Sequence, residues 1–362
     1  MTNDHQIMIG DCIDMMRRLP AQSVQTCVTS PPYFGLRDYG MEGQIGLEET
    51  PTEFIARLVE AFREVHRVLR DDGTLWLNMG DSYASKPNGP LSTGGRKVPH
   101  NCVRTAHARR SSKLHDGFKH KDMMGIPWRL AFALQDDGWY LRQDIIWHKP
   151  NPMPESTRDR CTKAHEYIFL LSKSPSYHCD MQAIKEPAAE SSAARWAQDI
   201  EAQAGSDRVP GKTNGPMKAV GGVRSRRDSF QRDNSKREQA IPGQSKGTHL
   251  ADRIESEWDA ASRNKLSVWT VPTRGYKGAH FATFPPDLIR PCVLAGAPRG
   301  GLVLDPFGGA GTTALVSMQE GRRSIICELN PDYAAIAKHR LEAALANGAS
   351  QMDILLDTKE SA

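Results

Sequence analysis

Leu302-Val303-Leu304-Asp305-Pro306-Phe307-Gly308-Gly309-Ala310-Gly311-Thr312-Thr313 decides the fold. Leu302 to Leu304 is a short apolar run that reads as a buried strand. Three glycines crowd the turn after it, so the backbone there can approach a ligand closely. A helical pattern runs from Ala314 to about Glu320, and a second apolar strand, Ser324 to Cys327, ends at Glu328. Strand, glycine turn, helix, strand and acid form a ligand-binding α/β unit, in which the final acid can hold ribose hydroxyls. The glycine spacing does not fit the dinucleotide fingerprint, and there is no Gly-Lys-Ser/Thr loop for a triphosphate. A nucleoside carrying no phosphate suits the unit better. Asp305 also reads as a helix-capping carboxylate, and Glu328 as a surface acid before a turn.

The second informative stretch lies far upstream. Val24 to Val28 reads as another buried strand, followed by Thr29-Ser30-Pro31-Pro32-Tyr33. Neither proline can donate a backbone hydrogen bond, so the strand stops in a stiff turn. Ser30 and Tyr33 are left at the strand's C-terminal edge, where open α/β sheets place their ligands. A small polar acceptor, rigid carbonyls and an aromatic ring can together grip a planar amine such as a nucleobase. The same stretch taken alone also fits an ordinary turn. For the phosphate-free nucleoside, S-adenosylmethionine is the obvious candidate.

Periodicity supplies the coarse order of elements. Apolar residues at Phe54, Ile55, Leu58, Val59, Phe62, Val65 and Leu69 predict a helix over 52–69 with one core-facing stripe. Asp71-Asp72-Gly73 ends it, and Thr74 to Asn78 is the next strand. A helix is expected over 126–136, with Pro127 suited to its first turn. Strands are expected at 140–147 and 168–171, and Val268-Trp269 resumes order after an insertion with helical pieces near 191–200 and 250–262. Helices over 286–294 and 331–345 complete the pattern, the last with Asn330 as N-cap. Alternating strands and helices imply an α/β fold, a mostly parallel sheet covered on both faces.

The bulk properties narrow the class. With 362 residues, 39% hydrophobic and 25% charged, the chain can build one large α/β domain plus an inserted module. No apolar run approaches the ~18 residues of a membrane span. The N-terminus lacks a basic-then-apolar signal pattern. Seven scattered cysteines with no Cys-x-x-Cys pair argue against a disulfide framework and a structural zinc site, so no metal is expected and a reducing cytoplasm is the natural home. The net charge of +4 is small, but its distribution is uneven. Segment 85–121 carries Lys86, Arg96, Lys97, Arg104, Arg109, Arg110, Lys113, Lys119 and Lys121 against Asp116 alone. Segment 205–248 includes Arg224, Arg226 and Arg227 in a second basic cluster. Rich in Gly, Ser and Pro, neither can pack a core of its own. They read either as solvated flexible loops or as contacts to DNA phosphates.

In this order the motifs resemble the β class of amino-group DNA methyltransferases. There a [S/D/N]-P-P-[Y/F] turn precedes a target-recognition region, and a Phe-x-Gly-x-Gly loop comes last. Ser30-Pro31-Pro32-Tyr33 and Phe307-Gly308-Gly309-Ala310-Gly311 match both. Gly10-Asp11-Cys12, Gly73 to Asn78, Ile145 to Asn151, Asp159-Arg160, His165-Glu166-Tyr167 and His280 to Pro285 match other blocks, covering roughly 7–182 and 265–345. The resemblance implies a Rossmann-like S-adenosylmethionine-dependent fold with a late hairpin that adds an antiparallel strand. It implies a catalytic half at 1–182, a target-recognition insertion at 183–264 and a cofactor half at 265–362. Ser30, Pro31, Pro32 and Tyr33 become the catalytic turn, holding the exocyclic amine of a base flipped out of the duplex. Asp11, His280, Phe284, Pro285, Asp305, Phe307, Gly308, Gly309, Gly311, Thr312 and Glu328 become the cofactor set. Arg104, Arg109, Arg110, Arg224, Arg226 and Arg227 become DNA contacts. Serine in the turn is usual for cytosine N4 and an acid or amide for adenine N6, so cytosine is favoured and adenine is the alternative. A non-catalytic nucleic-acid-binding module is the third reading, opposed by two intact motifs. Double-stranded DNA is the implied partner, with a homodimer and a cognate restriction endonuclease as further ones. A prokaryotic or phage-encoded cytoplasmic enzyme, at the nucleoid when bound to DNA, is expected.

Overall fold

The computed structural model describes residues 4–36, 38, 40–84, 117–188, 262–273 and 284–360, with side chains as far as 346. The chain divides into two compact units, Met1–Ile184 with Leu266–Ala362, and Lys185–Lys265. In the first, β1 (His5–Ile9), α1 (Cys12–Arg17), β2 (Val24–Thr29), α2 (Pro51–Val68), β3 (Leu69–Met79), α3 (Ile126–Asp136), β4 (Tyr140–His148) and β5 (His165–Ser172) come in order. The second unit holds β6 (Glu186–Pro187) and β7 (Ser262–Arg263), a short antiparallel ladder braced by Glu186 pairing with Lys265 at 2.7 Å. The first unit then resumes with β8 (Val268–Thr270), α4 (Pro286–Gly296), β9 (Leu302–Asp305), α5 (Thr312–Gln319), β10 (Arg323–Glu328) and α6 (Pro331–Glu360).

Among the described residues, eight strands form one sheet in the order β1-β10-β9-β2-β3-β5-β4-β8. Only β5 runs against the others, pairing antiparallel with both β3 and β4. The informative neighbours are β9 and β2, which are parallel, with Thr26 opposite Val303 and Cys27 opposite Leu304. From β9 the chain winds outward to β10, and from β2 it winds the other way to β3. This is a topological switch point, where two loops leave neighbouring strand ends and part to leave a crevice. Those loops are the glycine turn and the proline turn.

Local chemistry explains the helices. Thr50 accepts from Glu53 N at 3.1 Å while Glu53 accepts from Thr50 N at 3.1 Å, a capping box with Pro51 at the first position of α2. Phe54, Leu58, Phe62 and Val65 on one face of α2 are fully buried. Asn330 caps α6 by accepting from Asp332 N at 2.9 Å.

The structure departs from the sequence expectations at several points, and α6 runs on to Glu360 where an end at 345 is expected. Neither β1 nor α1 is expected, because β1 mixes His5 and Gln6 into a half-exposed edge strand and α1 is only six residues long. The Asp71-Asp72-Gly73 stop is a bulge within β3: pairing jumps from Val24↔Leu69 to Thr26↔Thr74. The antiparallel strand comes in mid-chain, as β5. The helical piece expected near 191–200 lies outside the described residues, as does that near 250–262 except for Ser262, which stands in β7.

Candidate active site

Ser30, Pro31, Pro32 and Tyr33 line a cleft of about 670 Å³ together with Asp11, Phe284, Phe307, Gly309 and Glu328. Residues nearly 300 apart in sequence share this space because β2 and β9 are adjacent and parallel.

Glu328 sits at the end of β10, where one carboxylate oxygen accepts from Gly309 N and the other from Asn330 N, both at 2.8 Å. Burial pushes its carboxyl above the usual range, and these hydrogen bonds act against that. Gly309, at φ 50°, is thus held against the acid in a left-handed turn. Asp11 caps α1, accepting from Ile13 N at 2.9 Å and Asp14 N at 3.2 Å, and it also lines the cleft. Phe307 packs edge-on to Phe62 at 6.4 Å between centroids, which fixes one wall.

Asp305 is a brace beneath this wall. Buried at 1% exposure, it accepts from Thr29 Oγ1 and Thr313 Oγ1, both at 2.6 Å, and from Phe307 N at 3.1 Å. Its burial raises its carboxyl above the usual range. It ties the end of β2 to the glycine turn and to α5 but does not line the cleft. Gly308, Gly311, Thr312 and Pro285 do not line it either. A Cβ on Gly308 would meet Ile326 Cβ at 2.7 Å, and one on Gly311 would meet Ala337 Cβ at 2.8 Å. These glycines let the turn pack on β10 and α6.

At the other end of the cleft Tyr33 Oη donates to Glu166 Oε2 at 2.9 Å. Lys149 donates to Glu166 Oε1, and its ammonium lies 4.2 Å from the centre of the Trp147 ring. Burial, and after it the Glu166 charge, hold the Tyr33 phenol well above its ordinary value, so it stays a neutral donor. Gly80 makes room for the ring, since a Cβ there would come within 2.7 Å of Tyr33 Cε2. Lys163 also lines the cleft; its buried Nζ has no hydrogen-bond partner among the described residues, and burial lowers its pKa. The sequence reading names neither Glu166, Lys149, Lys163 nor Gly80 as a site residue. The charged residues beside strand ends in His148-Lys149 and Lys163-Ala164-His165-Glu166 are the signal that could have found them.

His280, Arg104, Arg109, Arg110, Arg224, Arg226 and Arg227 lie outside the described residues. Among the described residues no cluster suits a metal ion, and no helix is long and apolar enough to cross a membrane.

Known proteins resemble both the sequence and the fold. A family model for N6/N4 enzymes, described as DNA methylase, matches residues 24–339. The type II methyltransferase M.XycI of Xanthomonas campestris pv. cyanopsidis is 44% identical over 338 residues, which is 93% of this chain and 88% of that protein. The solved structure of the cytosine-N4-specific PvuII DNA methyltransferase superposes with a TM-score of 0.56 at 17% identity, covering 94% of this chain and 86% of that one. A putative DNA modification methylase from Thermus thermophilus, complexed with S-adenosyl-L-methionine, superposes with a TM-score of 0.51 at 21% identity, over 94% of this chain and 95% of that one. With the family match spanning most of the chain and both motif turns on one cleft, this chain belongs to the N6/N4 amino-group DNA methylase family.

Proposed function

We propose that this protein is a site-specific type II DNA methyltransferase. It moves a methyl group from S-adenosylmethionine to N4 of a cytosine flipped out of duplex DNA. The observation that carries the reading is the shared cleft of Ser30, Pro31, Pro32 and Tyr33 with Phe307, Gly309 and Glu328.

The cleft's lining suits the cofactor. The glycine turn from Phe307 to Gly311 carries no Lys or Arg, and the N–H groups of Phe307, Gly308, Gly309 and Gly311 are already bonded within the protein, which leaves little to answer a phosphate. Glu328 offers a carboxylate to ribose hydroxyls, Asp11 offers another acid, and both favour a cationic ligand. Bound there, S-adenosylmethionine supplies an electrophilic methyl group.

The chain's own residues would prepare the amine. An exocyclic amine is a poor nucleophile because its lone pair is delocalised into the ring. The Ser30 hydroxyl and the Pro31 carbonyl would each accept one amino hydrogen, drawing the nitrogen toward tetrahedral geometry. Tyr33, held by Glu166, would give the base a stacking face. This is catalysis by positioning and fixed dipoles, with no covalent intermediate. Serine in the turn supports cytosine over adenine, and the cytosine-N4-specific PvuII enzyme, which shares the fold, agrees with it.

Asp305, Gly308, Gly311, Thr312 and Pro285 would shape the cofactor loop without touching its ligand, and His280 would close over the methionine end. Segment 183–264 would read the target sequence, with Arg104, Arg109, Arg110, Arg224, Arg226 and Arg227 on DNA phosphates. The type II names of the relatives support a cognate restriction endonuclease as counterpart, and their bacterial origin supports a cytoplasmic enzyme. Incubation with labelled S-adenosylmethionine and unmethylated duplex DNA tests the reading: label enters the DNA, and its failure to do so with folded protein overturns it.

A further inference from the structure

Among the described residues, Met153 is the most exposed large apolar side chain on the cleft. It is 87% exposed, against 36% for Leu36, the other exposed aliphatic that lines it. Its loop, between β4 and β5, is built to hold it there. Pro150, Pro152 and Pro154 alternate around it, so three of the backbone φ angles are locked and three donors are missing. The loop's base is pinned on two sides. Lys149 N donates to Ala164 O at 2.8 Å. Asn151 Nδ2 donates to Thr273 O at 3.0 Å, and Thr273 N donates back to Asn151 Oδ1 at 2.9 Å. Farther along, Glu155 pairs with Arg160, whose guanidinium lies 3.9 Å from the centre of the Tyr83 ring. A water-facing methionine on a braced loop beside the site is available to whatever enters the cleft.

The proposed function supplies a partner for it. A base turned out of a duplex leaves a gap between two base pairs, and apolar side chains fill such gaps in DNA-deforming proteins. An unbranched thioether is narrow and polarisable enough to slide between stacked faces. We infer that Met153 is the wedge that enters the DNA stack when the target base leaves it, with the proline loop as its rigid mount. The inference rests on the methyltransferase reading and goes beyond it, because it assigns the flipping step to a residue outside both motif turns.

The test uses the full-length protein and a duplex carrying the site mapped by methylome sequencing. Two substrates are compared, one with the target base normally paired and one with it opposite an abasic position. Met153→Ala should lower kcat/KM on the paired duplex by about ten- to a hundredfold, the worth of one stacked base. The deficit should shrink to a fewfold opposite the abasic position, where the base leaves the stack cheaply. Met153→Leu should keep most of the activity, and S-adenosylmethionine affinity and melting temperature should not move. Unchanged activity of Met153→Ala on the paired duplex overturns the wedge. An equal loss on both duplexes overturns it too, by placing Met153 on the base or the cofactor. If the unaltered protein methylates neither duplex, the methyltransferase reading itself fails, which is a separate outcome.

Discussion

Glu166→Gln is the substitution that bears most sharply on how the catalytic turn is held. The carboxylate serves two donors at once, Tyr33 Oη on one oxygen and Lys149 Nζ on the other. Glutamine keeps the shape but has one acceptor oxygen, and its amide nitrogen is a donor. One partner must be given up. The Lys149 side chain is only 17% exposed and Glu166 only 16%, so the ammonium cannot turn to water without leaving its site. The single acceptor should therefore stay with Lys149, and the amide nitrogen then faces Tyr33, whose hydroxyl exchanges a bond donated to a carboxylate for a neutral one accepted from the amide. A hydrogen bond to a charged group is worth about 1.5–3 kcal/mol against about 0.5–1.5 for a neutral one. At tenfold per 1.36 kcal/mol, the difference of ~1–1.5 kcal/mol lowers kcat/KM for DNA by about five- to tenfold. Tyr33→Phe removes the same bond from its other side, so the double variant should be no worse than the poorer single one. Steady-state methylation at saturating S-adenosylmethionine, with cofactor affinity by calorimetry as control, measures all three. Full activity in folded Glu166→Gln, or additive losses in the double variant, would refute the shared bond as the support of Tyr33.

Other expectations are more local. Ser30→Ala removes one acceptor from the amine and should cost about 1–3 kcal/mol in the transition state, or ten- to a hundredfold in rate, with cofactor affinity unchanged. Glu328→Ala should weaken S-adenosylmethionine binding by about ten- to a hundredfold in a calorimetric titration while the protein stays folded. Neutralising Arg224, Arg226 and Arg227 together should flatten the salt dependence of DNA binding by up to about 2.7 in the log–log slope, at ~0.9 per phosphate contact. An unaltered slope places that cluster off the DNA.

Much of the fold is legible in the sequence because the buried strands and helices announce themselves. Val24 to Val28, the stripe of α2 and the run at 302–304 all carry clear periods. What is not legible is set by tertiary pairing. β1 becomes a strand because β10 offers its edge, with Ile7 opposite Ile326. The bulge at Arg70–Gly73 arises from registering β3 on β2, which no local pattern records. The site divides the same way. Both motif turns stand out by their prolines and glycines, but motifs do not say which atoms face a ligand. Asp305 and Thr312 stand in the motif yet sit beneath the cleft, at 1% and 4% exposure. Glu166 reaches Tyr33 through the pairing of β5 with β3, the neighbour of β2, and Lys149 reaches Glu166 through the antiparallel pairing of β4 with β5, which brings His148 opposite His165. The closeness of the two turns depends on β9 lying beside β2, a long-range neighbour relation that spacing alone does not contain.

The central claim is that the cleft places a cytosine amine against a methyl donor. Mass spectrometry of nucleosides from unmethylated duplex DNA, treated with the purified protein and S-adenosylmethionine, tests it most directly. The account predicts N4-methylcytosine as the product, formed by the unaltered protein and sharply reduced in Ser30→Ala. N6-methyladenine as the sole product would contradict the base assignment, and full product from Ser30→Ala would contradict the mechanism.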